Sequence, residues 1–257
     1  MEIRPFHRWF GSYARSYLSG APLKDKRAIG LKLVHSQKVR GIAKRLALHL
    51  DIEGKELFLA ELCGLFHDIG RLPQFKRYKT FLDAKSEDHA ALSVEVLKNE
   101  NVLSQLEEQD KNMVIDAISV HNKFSIPAEF KGFKLTLAKI LRDADKIDIW
   151  RVFDEFYKKG KGTSDINLGL PYGQTISEKI INDFCSGYVI RWEDVKNQLD
   201  FMVMRLSWLF DINFEQSLGI IAERNYIDTI LNLLPDEAGK RLIKEKISNL
   251  FQEKLGK

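Results

Sequence analysis

The chain has 257 residues, 44% of them hydrophobic and 30% charged, enough to bury a sizeable core as one large domain or two small ones. With 16 Gly and 6 Pro it is neither collagen-like nor low-complexity, and its apolar content excludes a disordered chain. A formal net charge of +4, spread along the sequence, permits an anionic substrate and does not call for nucleic acid as a partner.

At the N-terminus, Phe6, Trp9, Phe10, Tyr13 and Tyr17 recur every three or four residues. This is one face of a helix, expected to pack on the core rather than on a membrane surface. Residues 1–10 lack the apolar run of a signal peptide, and no stretch approaches the ~18–20 uninterrupted apolar residues of a membrane span. A cytoplasmic location with no membrane partner is expected. Val39, Ile42, Ala43, Leu46 and Leu50 continue the helical spacing until Asp51-Ile52-Glu53-Gly54 breaks it. A dense apolar run, Leu57 to Phe66, is closed by Gly70 and Pro73. Ser86 suits the N-cap of a helix over 87–98. Further helices are predicted over 107–120 and 135–157. Lys158 to Asp165, continuing to Gly173, reads as a solvated, Gly-containing loop. Helical spacing resumes over 177–185, 193–211, 214–233 and 236–255, the last led by Pro235. Trp192, Phe201, Trp208 and Phe210 are expected in the core, as are Cys63 and Cys185 as buried, reduced thiols. The stretch 133–137 alternates, but five residues do not make a strand. The fold class is all-α.

The six histidines are His7, His35, His49, His67, His89 and His121. His67 is followed by Asp68 at the end of an apolar helix and just before Gly70. A carboxylate at the end of a buried helix needs a partner, and a metal ion supplies one. Imidazole with carboxylate suits a divalent transition metal better than Ca²⁺. Adjacent side chains point ~100° apart on a helix, so His67 and Asp68 can converge only at a helix terminus, which Gly70 provides. His7 and His49 carry no such context and read as structural.

Here the chain resembles the HD-domain superfamily of metal-dependent phosphohydrolases over residues 31 to about 154. The resemblance rests on the order His35, then His67-Asp68-Ile69-Gly70-Arg71, then Ala144-Asp145-Lys146-Ile147. It implies an HD-like helical bundle with an additional C-terminal helical segment. The expected organisation is an N-terminal helix over 1–27 packed on the core, the metal-binding domain over 28–157, and an accessory segment over 174–257. That segment is expected to pack on the core, shape one wall of the cleft, or form a homodimer contact. The resemblance further implies one metal held by His35, His67, Asp68 and Asp145, and a second held by His89 and His121 with Asp68 bridging, as in binuclear members. One or two divalent transition-metal ions are thus expected, with Mn, Fe, Co, Ni and Zn all open. Asp143 competes with Asp145 as the late ligand. Asp145 is preferred because Lys146-Ile147 follows it as in the family form.

The implied activity is hydrolysis of a phosphomonoester or phosphodiester, of a nucleotide or other small phosphorylated metabolite, by a metal-bound hydroxide. Asp68, Arg71 and Lys146 are the expected catalytic residues. Arg71 and Lys146 are candidates for contact with a phosphate oxygen, although Arg71 is also placed to salt-bridge Asp83 or Glu87. The segment Asn122-Lys123-Phe124-Ser125-Ile126-Pro127 lacks the Gly-Tyr-Pro element of the cyclic-dinucleotide branch, which counts against that substrate. A catalytically silent sensor or scaffold, and a di-iron oxygenase of the same superfamily, are the alternatives. Loops 72–86, 122–134 and 158–175 are expected to set specificity.

Overall fold

A computed structural model describes residues 2–158, 169–235 and 238–256. The expected loop from Lys158 to Asp165 and the expected helix start at Asp236 fall largely outside these described residues. The chain divides into two compact units, Met1–Asp148 and Ile149–Lys257, and every regular element among the described residues is helical.

The first unit opens with α1 (Arg4–Leu18). Its aromatic stripe meets its own core: Phe6 and Phe10 are buried, and Phe6 packs edge-on against Phe58 and Phe66. α2 (Leu23–His49) runs unbroken through position 28, where a boundary was expected. It forms a hairpin with α3 (Gly54–Phe66), turning at Asp51 and Gly54, both with positive φ. Val39, Ala43 and Leu46 of α2 lie fully buried with Leu59, Leu62 and Leu65 of α3. The two backbones touch at Gly64, where an added Cβ would stand 2.6 Å from Arg40 Cα. Across the same hairpin Arg40 pairs with Glu61 at 2.6 Å.

After α3 the sequence reading expected a loop, but residues Arg71–Tyr78 form a helix, α4. Pro73 lies in its first turn, where its missing N–H is no loss. A 3-10 turn (Asp83–Lys85) leads to α5 (His89–Asn99). The N-cap of α5 is Asp88, not Ser86: Asp88 Oδ1 accepts from the amides of Ala90 and Ala91. Ser86 closes the preceding turn, donating to Leu82 O and accepting from Gln74. α6 (Glu108–Val120) and α7 (Gly132–Lys158) follow, and residues 133–137 belong to α7. The boundary between the two units falls within α7.

The second unit is helical throughout its described residues but more broken than its apolar spacing suggests. The expected helix over 193–211 is a 3-10 turn (Trp192–Asp194), α9 (Gln198–Ser207) after α8 (Glu178–Cys185), and a second 3-10 turn (Trp208–Asp211). Asn197 interrupts it by capping α9, accepting from the amides of Leu199 and Asp200. The expected helix over 214–233 is α10 (Glu215–Arg224) and α11 (Tyr226–Leu233), split at Asn225, which adopts φ 53°. α12 (Ala238–Leu255) closes the chain. Phe201 is buried, but Trp192, Trp208 and Phe210 are only half-buried. Phe153, Phe201 and Trp208 ring the Arg205 guanidinium at 4.2 to 4.6 Å. Cys63 is buried as expected, whereas Cys185 is half-exposed.

Gly70 shows why the turn between α3 and α4 is built as it is. A Cβ there would stand 2.4 Å from Ser93 N and 2.6 Å from His89 O, so only glycine lets the first turn of α5 approach. Gly70→Ala is expected to destabilise the fold by about 2–3 kcal/mol through overpacking, measured by denaturant unfolding. A loss near zero would show that α5 can retreat freely.

Candidate metal centre

Each of the four histidines expected at the centre is fixed through its Nδ1 atom. His67 and His121 are the C-caps of α3 and α6. Their Nδ1 atoms lie 3.0 Å from Gly64 O and 2.7 Å from Ile118 O, each a carbonyl three residues back. His35, in the middle of α2, places Nδ1 2.7 Å from Asp148 Oδ2. His89, the first residue of α5, places Nδ1 2.5 Å from Asp83 Oδ2. All four partners are acceptors only, so each Nδ1 must carry the proton. Each neutral ring is then left with an Nε2 lone pair.

Those Nε2 atoms converge. His35 Nε2 lies 3.2 Å from His67 Nε2, and His89 Nε2 lies 3.0 Å from His121 Nε2. The carboxylates lie among them. Asp145 Oδ1 is 3.0 Å from His35 Nε2 and 3.6 Å from His67 Nε2. Asp68 turns Oδ2 toward His35 and His67, at 3.7 and 3.9 Å, and Oδ1 toward His89, at 3.5 Å. Asp68 thus faces both histidine pairs, one oxygen to each. Of the two candidates on α7, Asp145 meets the imidazoles. Asp143 is buried but belongs to no potential metal-holding group among the described residues. Two such groups lie at the centre, His35 with His67 and Asp145, and His67 with Asp68 and His121; a third joins Asp83, Asp88 and His89. Neither His7 nor His49 belongs to one.

The donor set fits a transition metal. Lone pairs facing one another at 3.0–3.2 Å repel unless a cation or a proton lies between them. With a metal–nitrogen bond of about 2.0–2.1 Å, the ligand–ligand edge of a tetrahedral site is about 3.3 Å, close to the spacings found. The electrostatics point the same way. Burial drives the carboxyls of Asp68 and Asp145 upward, yet both are held well below the usual carboxylate range. Lys32 and Arg71, then His67 and His89, do this for Asp68, and the neighbouring His35 and His67 do it for Asp145. Burial lowers His35, but its bonds to Asp145 and Asp148 outweigh this and raise it to about 9. Burial, reinforced by the neighbouring imidazoles, depresses His121 to about 3.

The scaffold holds these groups from several sides. Ser93 Oγ lies 2.6 Å from His67 O and 2.9 Å from His89 O, and accepts from Gly70 N at 2.9 Å. One hydroxyl therefore joins the backbones of two candidate ligands. Buried Arg142 of α7 donates to the carbonyls of Val120, His121 and Lys123, capping α6. Arg71 bridges Asp68 Oδ1 (3.3 Å) and Asp83 Oδ1 (2.7 Å), and also reaches Gln74 and Phe81 O. Lys146, about 100° around α7 from Asp145, is buried.

Asp148, Ser93 and Lys32, whose Nζ lies 2.9 Å from Asp68 Oδ2, are not among the residues expected from the sequence. Asp148 and Lys32 carry a retrospective signal, since each sits one helical turn from a candidate ligand, at Asp145+3 and His35−3. Ser93 carries none, and Asp83, expected as a partner of Arg71 and found there at 2.7 Å, gives no sign of its second contact, to His89.

The sequence model of one protein family, described as HD domain, matches residues 33–150. That segment is an HD domain, a class composed mostly of metal-dependent phosphohydrolases, and its His/Asp clusters are of the kind that binds divalent metal. Comparison with curated proteins and with solved structures returned no match. No helix among the described residues is long and apolar enough to cross a membrane.

Removing the acceptor behind a ligand should weaken the site without removing a ligand. Asp148→Ala and Asp83→Ala are each expected to lower metal affinity about tenfold to a hundredfold, measured by competition with a chromogenic chelator. Unchanged affinity would show that Nδ1 anchoring is unimportant. The raised His35 also has a consequence for pH. Raised from 6.5 to about 9, its imidazolium adds stability to the metal-free fold that is fully present below about pH 6.5 and lost as pH rises through about 9. A metal must displace that proton. Uptake near neutral pH in weakly buffered solution is therefore expected to release protons, with apparent affinity rising toward about pH 9.

Proposed function

We propose that the chain is a metal-dependent phosphohydrolase that cleaves a phosphomonoester or phosphodiester of a nucleotide or another small phosphorylated metabolite. The observation that carries this reading is the meeting of four Nε2 atoms and two carboxylates at spacings of 3.0–3.9 Å. His35, His67, Asp68 and Asp145 would hold one divalent ion, and His89 and His121 the second, with Asp68 shared between them. When bound, such a pair supplies Lewis acidity and a water of lowered pKa.

The chain's own groups do the rest. The Asp68 carboxylate, held by Arg71 on Oδ1 and, in the metal-free chain, by Lys32 on Oδ2, would set the separation of the two sites. Anchoring at Nδ1 makes Nε2 the atom each imidazole offers to a metal, and His35 must first give up the second proton it holds below about pH 9. Burial of the four histidines and Asp68, with His67 fully enclosed, lowers the local dielectric and strengthens every charge interaction there. Cationic side chains at the centre favour an anionic substrate. Arg71, its guanidinium already beside Asp68, is the first candidate for a phosphate oxygen, and Lys146 is the second.

The purified chain is expected to take up close to two equivalents of Mn²⁺ or another divalent transition metal. Asp68→Ala should lose both equivalents and with them turnover in a screen of phosphorylated metabolites, whereas His89→Ala should lose about one equivalent. Absence of bound metal, or turnover that survives Asp68→Ala, would reject the assignment. Silence across the screen with Mn²⁺, Fe²⁺, Co²⁺ and Ni²⁺ alike would favour the sensor or scaffold reading.

A further inference from the structure

Two cations touch Asp68, and they are held very differently. The Arg71 guanidinium is anchored in place: its Nε meets Asp68, and its Nη1 serves Gln74 Oε1 at 2.9 Å, Phe81 O at 2.6 Å and Asp83 Oδ1 at 2.7 Å, with the side chain 12% exposed. Moving it would break a network that also carries His89 through Asp83. Lys32 has one hydrogen-bond acceptor among the described residues, Asp68 Oδ2 at 2.9 Å. Its side chain is 23% exposed, and its Nζ lies 5.5 Å from the centroid of the half-buried Phe81 ring. An ammonium has three donors, so Lys32 has two left over and an open side. It stands one helical turn before His35 on α2, at the solvent edge of the centre.

The oxygen that Lys32 occupies is the one turned toward His35 and His67. In the metal-free chain the ammonium is therefore the counter-charge of that carboxylate oxygen. A divalent ion taken up at the same oxygen repels the ammonium and claims the lone pairs that held it. A flexible four-carbon stem lets the head leave while its methylenes remain packed. The nearest new source of negative charge is the anion that the centre works on.

We infer that Lys32 is an exchangeable cation: it caps Asp68 in the metal-free chain, yields that oxygen to the metal, and then binds a phosphate oxygen of the substrate. This rests on the phosphohydrolase reading above and adds to it a specificity residue outside the ligand set. The consequence is an opposed pair of effects, since removal of the ammonium takes away a competitor of the metal and a partner of the phosphate at once. A merely structural lysine would move neither quantity in this pattern.

The test uses the full chain and two probes, Mn²⁺ alone and then inorganic phosphate on the Mn²⁺-loaded protein. Free Mn²⁺ is followed by electron paramagnetic resonance and phosphate binding by calorimetry. Lys32→Met is expected to bind Mn²⁺ about threefold to tenfold more tightly than the parent and to bind phosphate about tenfold more weakly. Lys32→Arg, which keeps the charge and guards against a folding defect in the first variant, should stay near the parent for phosphate. Mn²⁺ affinity unchanged or weakened in Lys32→Met, or phosphate affinity unchanged, overturns the inference while leaving the hydrolase reading standing. A parent chain that takes up no Mn²⁺ overturns both.

Discussion

The structure depends on one constraint: every imidazole at the centre has its Nδ1 hydrogen committed to an oxygen that can only accept. Two of those oxygens are carbonyls of the helix that each histidine caps. Two are carboxylates from elsewhere in the fold. The consequence is the same in all four cases. The ring cannot flip or change tautomer without leaving a buried donor or acceptor unpaired, which costs on the order of 1–3 kcal/mol. The Nε2 lone pairs therefore point inward whether or not anything lies between them. Packing and hydrogen bonding, rather than the ligands themselves, pre-organise the site.

That constraint explains where the fold tolerates no side chain. Gly64 lets α2 and α3 approach until Arg40 and Gly64 are in backbone contact, which brings His35 and His67 to 3.2 Å. Gly70 lets α5 press on the turn after His67, and Ser93 then ties the two backbones together. The two close approaches serve the two histidine pairs, and Asp68 lies between them because it is the residue that follows His67 at a helix end. There the α-helix gives way to tighter turns, Ile69 N bonding Phe66 O and Arg71 N bonding Asp68 O, and neighbouring side chains can face one centre.

Much of this was legible in the sequence, for physical reasons particular to each element. The apolar spacing of 39–50 and the dense run 57–66 fix α2 and α3 because each buries a continuous stripe. The order of His35, His67-Asp68 and Asp145 signals the HD domain because the ligand types and helix ends recur together. What was missed lies where local spacing is silent. α4 is not legible as a helix because Pro73 resembles a stop, although a proline in the first turn costs nothing. Ser86 and Asp88 are both good caps, and the folded contacts decide between them: Asp88 accepts from Ala90 and Ala91 N, while Gln74 holds Ser86 in the preceding turn. Asn197 and Asn225 break helices whose apolar spacing continues across the break. Ser93 reaches the centre by tertiary closure, so nothing in its sequence neighbourhood marks it, and the hold of Asp83 on His89 is equally silent.

The most direct measurement is of the ring nitrogens. In ¹⁵N-labelled protein loaded with diamagnetic Zn²⁺, long-range ¹H–¹⁵N correlation spectra report the protonation and coordination of each histidine nitrogen. The account predicts a protonated Nδ1 and a metal-coordinated Nε2 for His35, His67, His89 and His121 alike, with His7 and His49 unaffected by the metal. Rings protonated at Nε2, or spectra that do not change when Zn²⁺ is added, would contradict it.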